Sequence, residues 1–363
     1  MSTIKDYLKY YKNTTFEEYK FNELDNLLFS EISYINWDGI VSKFNSKIKL
    51  KDAISIYLEN NKERNSNKLS PFMKSNIENL KAIENCTRYN NCYLSNYRNE
   101  VDDNKQFGAI CIYLNSREIY ISFKGTDSTL IGWKENLSLS YIFPTLSQKA
   151  AIDYLNEVAS LKNNTIYVGG HSKGGNLAMT AAMYCNKRIK KRIKTIFNND
   201  GPGFKDSEYN SKEYNDMIPK LKMFLPEESV VGILLNSTDN YTVVKSIANG
   251  VKQHDCNSWE CFGSFLIRGT LSESSKKIKA KITRLLEKYD DEKKKELIVN
   301  FFDILKEVNI TSFKNVSSVD WNQVIEIIKG LKNLDVQSKE LYINFFKDLL
   351  LREQKDMDVK KIK

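Results

Sequence analysis

Thr165-Ile166-Tyr167-Val168-Gly169-Gly170-His171-Ser172-Lys173-Gly174-Gly175-Asn176-Leu177-Ala178 is the stretch that decides the fold. Thr165 to Val168 are β-branched or aromatic, which suits a short buried strand. Gly169 to Gly175 make a tight turn, and Asn176 to Lys187 form a helix rich in small residues. A further strand is expected from Arg192 to Asn198. Strand, helix and strand with short joints is a parallel βαβ unit whose crossover helix packs on the sheet.

Upstream, Phe107–Leu114 and Glu118–Phe123 are β-rich runs separated by Asn115-Ser116-Arg117, which reads as a hairpin. An amphipathic helix over Ser147 to Leu161 follows, with Ala150, Ala151, Tyr154, Leu155 and Val158 on one face. Downstream, strands are expected at Lys220–Leu225 and Tyr241–Lys245. Residues 1–85 carry helical spacing (Ile54, Ile56, Tyr57, then Ile77, Leu80, Ile83), broken by the polar stretch Asn60 to Ser70. Beyond about 270, three helical stripes recur. They are Leu297, Ile298, Phe301, Phe302 and Leu305; then Trp321, Val324, Ile325, Ile328 and Leu331; then Leu341, Phe345 and Leu349. The expected architecture is α/β: a mostly parallel sheet flanked by helices. A helical lead-in spans 1–85, the core 86–268 and a helical C-terminal extension 269–363.

Composition narrows the function classes. The 363 residues are 41% hydrophobic, 12% aromatic and 28% charged, which excludes a disordered chain. A formal charge of +9 is spread through Lys-rich helical stretches rather than gathered on one tail, so nucleic acid is not the expected partner. The six cysteines form no CxxC pair, so neither a zinc site nor a disulfide framework is expected. The charged N-terminus lacks a secretory core. The longest apolar runs, such as Val230–Leu235, are too short to span a bilayer. A cytoplasmic protein without a transmembrane segment is the expectation.

Gly170-His171-Ser172-Lys173-Gly174 is a G-x-S-x-G turn between strand and helix. There a serine is forced into a strained conformation that lifts its hydroxyl clear of the sheet, and the helix N-terminus offers N–H groups to an oxyanion. The same turn also suits phosphate binding or a tight joint. A nucleophilic serine needs a base, and the chain has only His171 and His254. His171 adjoins Ser172 and should point off the other side of the turn, which leaves His254, in chain order after the serine. The orienting acid is open between Asp200, ranked first, Asp239 and Glu228. Asp255 comes last because it adjoins the histidine. A second oxyanion donor would be the backbone N–H of Thr126, in Phe123-Lys124-Gly125-Thr126, paired with that of Lys173.

These segments resemble the class 3 lipases, in which a strand ends in F-R-G-T or F-R-G-S, a Trp follows, and the nucleophile sits in G-H-S-L-G-G. They are still more similar to a bacterial lipase-like family catalogued as a domain of unknown function. The matching residues are Trp133-Lys134-Glu135-Asn136, Gly170 through Ala178, Asn199-Asp200-Gly201-Pro202-Gly203-Phe204, and Gln253-His254-Asp255 before Ser258-Trp259. The resemblance runs from near the N-terminus to about residue 265 and implies an α/β-hydrolase fold. Lys173 departs from the Leu of the class 3 lipases, and so places a charge beside the oxyanion hole.

The function implied is a serine hydrolase of carboxylic ester or thioester bonds, lipase- or esterase-like, working through an acyl-enzyme. Its substrate would be a small-molecule or lipid ester, with peripheral membrane contact open, and no cofactor is called for because acyl transfer by a triad needs none. The alternative is a hydrolase fold kept for binding or scaffolding, with the C-terminal helices as the interaction surface for an unidentified partner.

Overall fold

The computed structural model describes residues 1–62, 69–126, 129–160, 163–307 and 334–350. The lead-in contains helices α1 (Ile4–Tyr11) and α2 (Glu23–Ile32), the two-residue strand β1 (Ile48–Lys49), and helices α3 (Leu50–Asn60) and α4 (Pro71–Glu84). Local chemistry sets these starts. Asn22 Oδ1 accepts from the Leu24 N–H at 2.9 Å while Asp25 Oδ2 accepts the Asn22 N–H at 3.0 Å, a reciprocal cap. Ser70 caps α4, with Pro71 filling the first turn where its missing N–H costs nothing.

Strands β2 (Tyr93–Val101), β3 (Gln106–Tyr113) and β4 (Glu118–Phe123) form an antiparallel meander, followed by α5 (Leu130–Ser138) and α6 (Leu146–Ser160). Next come β5 (Thr165–His171), α7 (Lys173–Tyr184), α8 (Lys187–Arg192), β6 (Ile193–Asn199), α9 (Asp206–Tyr209) and α10 (Lys212–Met217). Strands β7 (Leu221–Pro226) and β8 (Thr242–Val244) complete an eight-stranded sheet, in which β4 to β8 run parallel in sequence order. A small hairpin of β9 (Cys261–Phe262) and β10 (Phe265–Leu266) precedes helices α11 (Glu273–Lys288), α12 (Asp291–Glu307) and α13 (Val336–Leu350). This is the α/β arrangement expected, mostly parallel and flanked by helices, with helical segments at both ends.

Alternation along β4 to β6 sends apolar residues to two cores, one on each face of the sheet. Ile119, Ile121, Phe123, Ile166 and Val168 pack beneath α6 and α7. Tyr120, Tyr167 and Phe197 pack on the other face with Leu24, Leu27 and Phe29 of the lead-in. The lead-in is thus one cover of the sheet.

Several expectations shift. Strand β5 runs on to His171 rather than stopping at Val168, and α7 begins at Lys173, so the turn is a single residue wide. Strands β1 and β2 were not foreseen. β2 carries Ser95, Asn96, Arg98, Asn99 and Glu100 and is bulged between Ser95 and Arg98, so its alternation is broken. Ile56 faces solvent although its neighbours Ile54 and Tyr57 are buried. The stripe Trp321 to Leu331 lies outside the described residues, as do Asp127, Ser128 and Leu161.

Pairing fixes what lies at the sheet's carboxyl edge. Phe123 pairs Gly170, His171 pairs Asn199, and Asn199 pairs Phe224. The residues immediately beyond β4, β5 and β6 therefore share one edge, where parallel sheets open onto their ligand crevice. Those residues include Thr126, Ser172 and Asp200.

Candidate active site

Ser172 has φ 58° and ψ −131°, left-handed backbone that costs a non-glycine residue roughly 1–3 kcal/mol. The strain is held by neighbours. The Ser172 N–H donates to Asn199 O at 2.9 Å, and the Gly175 N–H donates to Ser172 O at 2.9 Å. Room for the turn comes from glycine: a Cβ at Gly174 would lie 2.1 Å from Phe123 O, and one at Gly170 would lie 2.4 Å from the carbonyl carbon of Gly174. Both obstacles are backbone, so neither can yield.

Asp200, with φ 51°, follows β6 and is fully buried. Its Oδ1 accepts from Ser229 Oγ at 2.5 Å and from the Gly232 N–H at 3.1 Å. Its Oδ2 lies 2.6 Å from His254 Nδ1. A carboxylate can only accept here, so Nδ1 carries a proton, and in the neutral tautomer this selects the lone pair lies on Nε2. Of the three carboxylates in play, the structure brings Asp200 to His254. Glu228 instead accepts from the Gly250 N–H at 2.6 Å and from Gln253 Nε2 at 3.0 Å, which buttresses the residue before His254. Asp239 is exposed. Trp259 helps from behind, its Nε1 donating to Gln253 O at 2.8 Å. Among the described residues no hydrogen bond joins the Ser172 hydroxyl to His254, a contact that in ligand-free sites often tightens only when substrate binds.

Lys173 departs from expectation. Its backbone N–H heads α7, but its side chain is 1% exposed and turned inward. The ammonium donates to Glu135 Oε2 at 2.9 Å, Gln106 Oε1 at 2.8 Å and Gln106 O at 2.5 Å. The charge expected beside the oxyanion hole is therefore compensated by a buried carboxylate. Glu135 also accepts from Ser147 Oγ at 2.6 Å and from the Ser147 N–H at 2.8 Å. Thr126 is half-buried, its buried Oγ1 has no hydrogen-bond partner among the described residues, and its methyl faces Gly132 of α5.

Sequence reasoning quoted Glu135 in a motif but gave it no role, and it gave none to Gln106 or Ser229. A lysine inside a helix start otherwise made of Gly, Asn, Leu and Ala demands a buried carboxylate, and that signal could have led to Glu135. Gln106 and Ser229 left no comparable trace. Among the described residues no cluster of three or more His, Cys, Asp or Glu could hold a metal ion, and no helix is long and apolar enough to cross a membrane.

A strained serine between a parallel strand and its helix, at the same sheet edge as a carboxylate-bound histidine, defines an α/β protein with a tight strand-to-helix turn at Ser172. A family model described as Mbeg1-like matches residues 83–303, more than half of the chain, and the chain belongs to that family. This corrects the family read from the motifs: the match is neither to a class 3 lipase nor to the lipase-like domain of unknown function, although every motif quoted for that resemblance lies inside 83–303. No curated protein and no solved structure matches the chain.

Proposed function

We propose that the chain is a serine hydrolase that cleaves carboxylic ester or thioester bonds through an acyl-enzyme. The observation that carries this reading is the 2.6 Å contact between His254 Nδ1 and the buried, doubly hydrogen-bonded Asp200, on the edge that presents the strained Ser172. In the first half-reaction Ser172 Oγ attacks the carbonyl carbon while His254 Nε2 takes its proton, and the N–H groups of Lys173 and Thr126 receive the oxyanion. Collapse of the tetrahedral intermediate expels the alcohol or thiol, which takes that proton from His254. Water then repeats the sequence on the acyl-enzyme, giving the acid and restoring Ser172. Asp200 holds the histidine tautomer and stabilises the imidazolium.

The test is labelling by a fluorophosphonate probe, together with a panel of chromogenic esters of rising chain length. Wild type is expected to label at Ser172, and Ser172→Ala to lose labelling and turnover by about 10⁴ to 10⁶ with the fold intact. An unlabelled wild type that hydrolyses none of the esters would leave the binding or scaffold alternative standing.

A further inference from the structure

His171 lies at the end of β5, buried between the nucleophile turn and the lead-in. Its Nε2 is 2.7 Å from His254 O. A carbonyl only accepts, so Nε2 carries the proton. Burial, and to a lesser degree the neighbouring His254, pushes the pKa of His171 well below 6.5, so the ring is neutral and Nδ1 is an acceptor. Tyr34 fills that acceptor, its hydroxyl standing 3.0 Å from Nδ1. The Tyr34 hydroxyl also lies 3.3 Å from His171 O and directly over Gly125, where a Cβ would come within 1.9 Å of it. Phe72 of α4 stacks on the His171 ring at 5.6 Å and meets the Tyr34 ring edge-on at 4.9 Å.

These contacts address a gap in the site. Asp200 fixes the direction of the His254 ring, yet the distance from Nε2 to Ser172 also depends on where the His254 backbone sits. That backbone ends a short 3₁₀ turn, Gly250–His254, in which Glu228 and Trp259 hold Gly250 and Gln253, while the contact at the carbonyl of His254 itself is the one from His171. We infer that Tyr34 and His171 are positioning residues, a hydrogen-bonded relay by which the helical lead-in holds the His254 backbone at working distance from Ser172. The inference rests on the hydrolase reading above. Tyr34 and Phe72 both precede residue 83, so the part of the chain matched by the family model does not contain the whole device. The same hydroxyl touches the loop leading to Thr126, so one lead-in side chain registers the nucleophile turn, the histidine turn and the oxyanion loop against each other.

The experiment uses the full chain, a fluorophosphonate probe and a short-chain nitrophenyl ester, with Tyr34→Phe, His171→Phe and His171→Gln. Tyr34→Phe keeps the ring on Phe72 and removes only the hydroxyl. His171→Phe keeps an aromatic ring and removes the donor, whereas the amide nitrogen of His171→Gln can reach His254 O. Misplacing a reacting group by about 1 Å can cost about 10²-fold. Tyr34→Phe and His171→Phe are therefore expected to lower kcat about 10- to 100-fold, leave KM within about twofold and slow labelling in proportion, with His171→Gln recovering most of the loss. Thermal melting reports whether each variant is folded, and Tyr34→Phe carries the test if His171→Phe is not. Wild-type labelling and kcat in folded Tyr34→Phe would overturn the relay while leaving the hydrolase reading intact, as would a His171→Gln as impaired as His171→Phe. A wild type that neither labels nor hydrolyses any ester would overturn both.

Discussion

Asp25 and Asp200 are both fully buried carboxylates held at 2.6 Å by a basic side chain, Arg88 just after the lead-in cover and His254 at the sheet edge. Around Asp25 every polar valence is spent. Its oxygens accept from Tyr7, Tyr89, the Asn22 N–H and two Arg88 nitrogens, while other Arg88 N–H groups reach the carbonyls of Thr14, Thr15, Tyr19 and Lys20. Arg88 is 2% exposed, so no group is left over for a ligand. Around Asp200 the count stops one short. His254 is 30% exposed on its side chain, and among the described residues no hydrogen bond reaches its Nε2. A saturated pair is a strut, whereas a pair that leaves one ring nitrogen unbonded is what the proposed proton transfer requires.

Exchanging each acid or its partner separates the two kinds of site, and the sheet edge should give the larger effect. Asp200→Asn keeps the shape of the side chain but presents a donor where His254 Nδ1–H needs an acceptor. Turnover is expected to fall by as much as about 10⁴, with an unchanged melting profile and circular dichroism. Asp239→Asn and Glu228→Gln should leave kcat within a fewfold of wild type, since one is exposed and the other acts on Gln253. A mild Asp200→Asn beside a crippling Glu228→Gln would reverse the assignment.

At the lead-in the expected effect is on stability rather than rate. Arg88→Met leaves Asp25 buried without its counter-charge, and breaking such a pair costs about 3–5 kcal/mol. Denaturant titration should show that loss, while kcat per folded molecule stays at the wild-type value. A variant that kept its stability but lost turnover would mean that the lead-in network takes part in the chemistry.

How much of this was legible in the sequence follows from distance along the chain. Strands β3 to β7, helices α6 and α7 and the turn at Ser172 are local patterns of period 2 or 3.6, and each was placed to within a few residues, whereas α5 and the short helices α8 to α10 were not read. Ser172 could be nominated from its G-x-S-x-G turn, His254 because there are two histidines in all, and Asp200 from its place just after a strand. What stayed hidden was pairing between distant positions. Lys173 and Glu135 are 38 residues apart, and Tyr34 and His171 are 137 apart. No periodicity links such residues, because the sheet that unites them exists only after folding. Strand β2 was lost for a different reason, since polar residues and a bulge erase its alternation.

The smallest expected effect sharpens the comparison from a third carboxylate, Glu31 at the end of α2. Glu31 is 2% exposed and has no cationic partner in its hydrogen bonds. It accepts from Asn79 Nδ2 at 2.9 Å and from Cys256 Sγ at 3.2 Å, and Asp255 lies close enough to repel it. Burial first, and Asp255 second, push its pKa up to about 8. Asp255, itself raised by burial, shifts in the same direction. Because the folded form binds the Glu31 proton more tightly than the unfolded chain does, the associated stability is fully present below the ordinary value near 4.5. It is lost as pH rises through about 8. Each bound proton contributes a slope of at most about 1.4 kcal/mol per pH unit. Between pH 6 and 8.5, wild type should therefore lose on the order of 1–3 kcal/mol in denaturant titration, and Glu31→Gln, which cannot ionise, should lose clearly less. The burial of His171 acts with the opposite sign, since its depressed pKa removes stability as pH falls below about 6.5. Equal alkaline slopes in wild type and Glu31→Gln would show that Glu31 is ionised in the folded chain. It would then need a counter-charge of its own, as Asp25 has in Arg88.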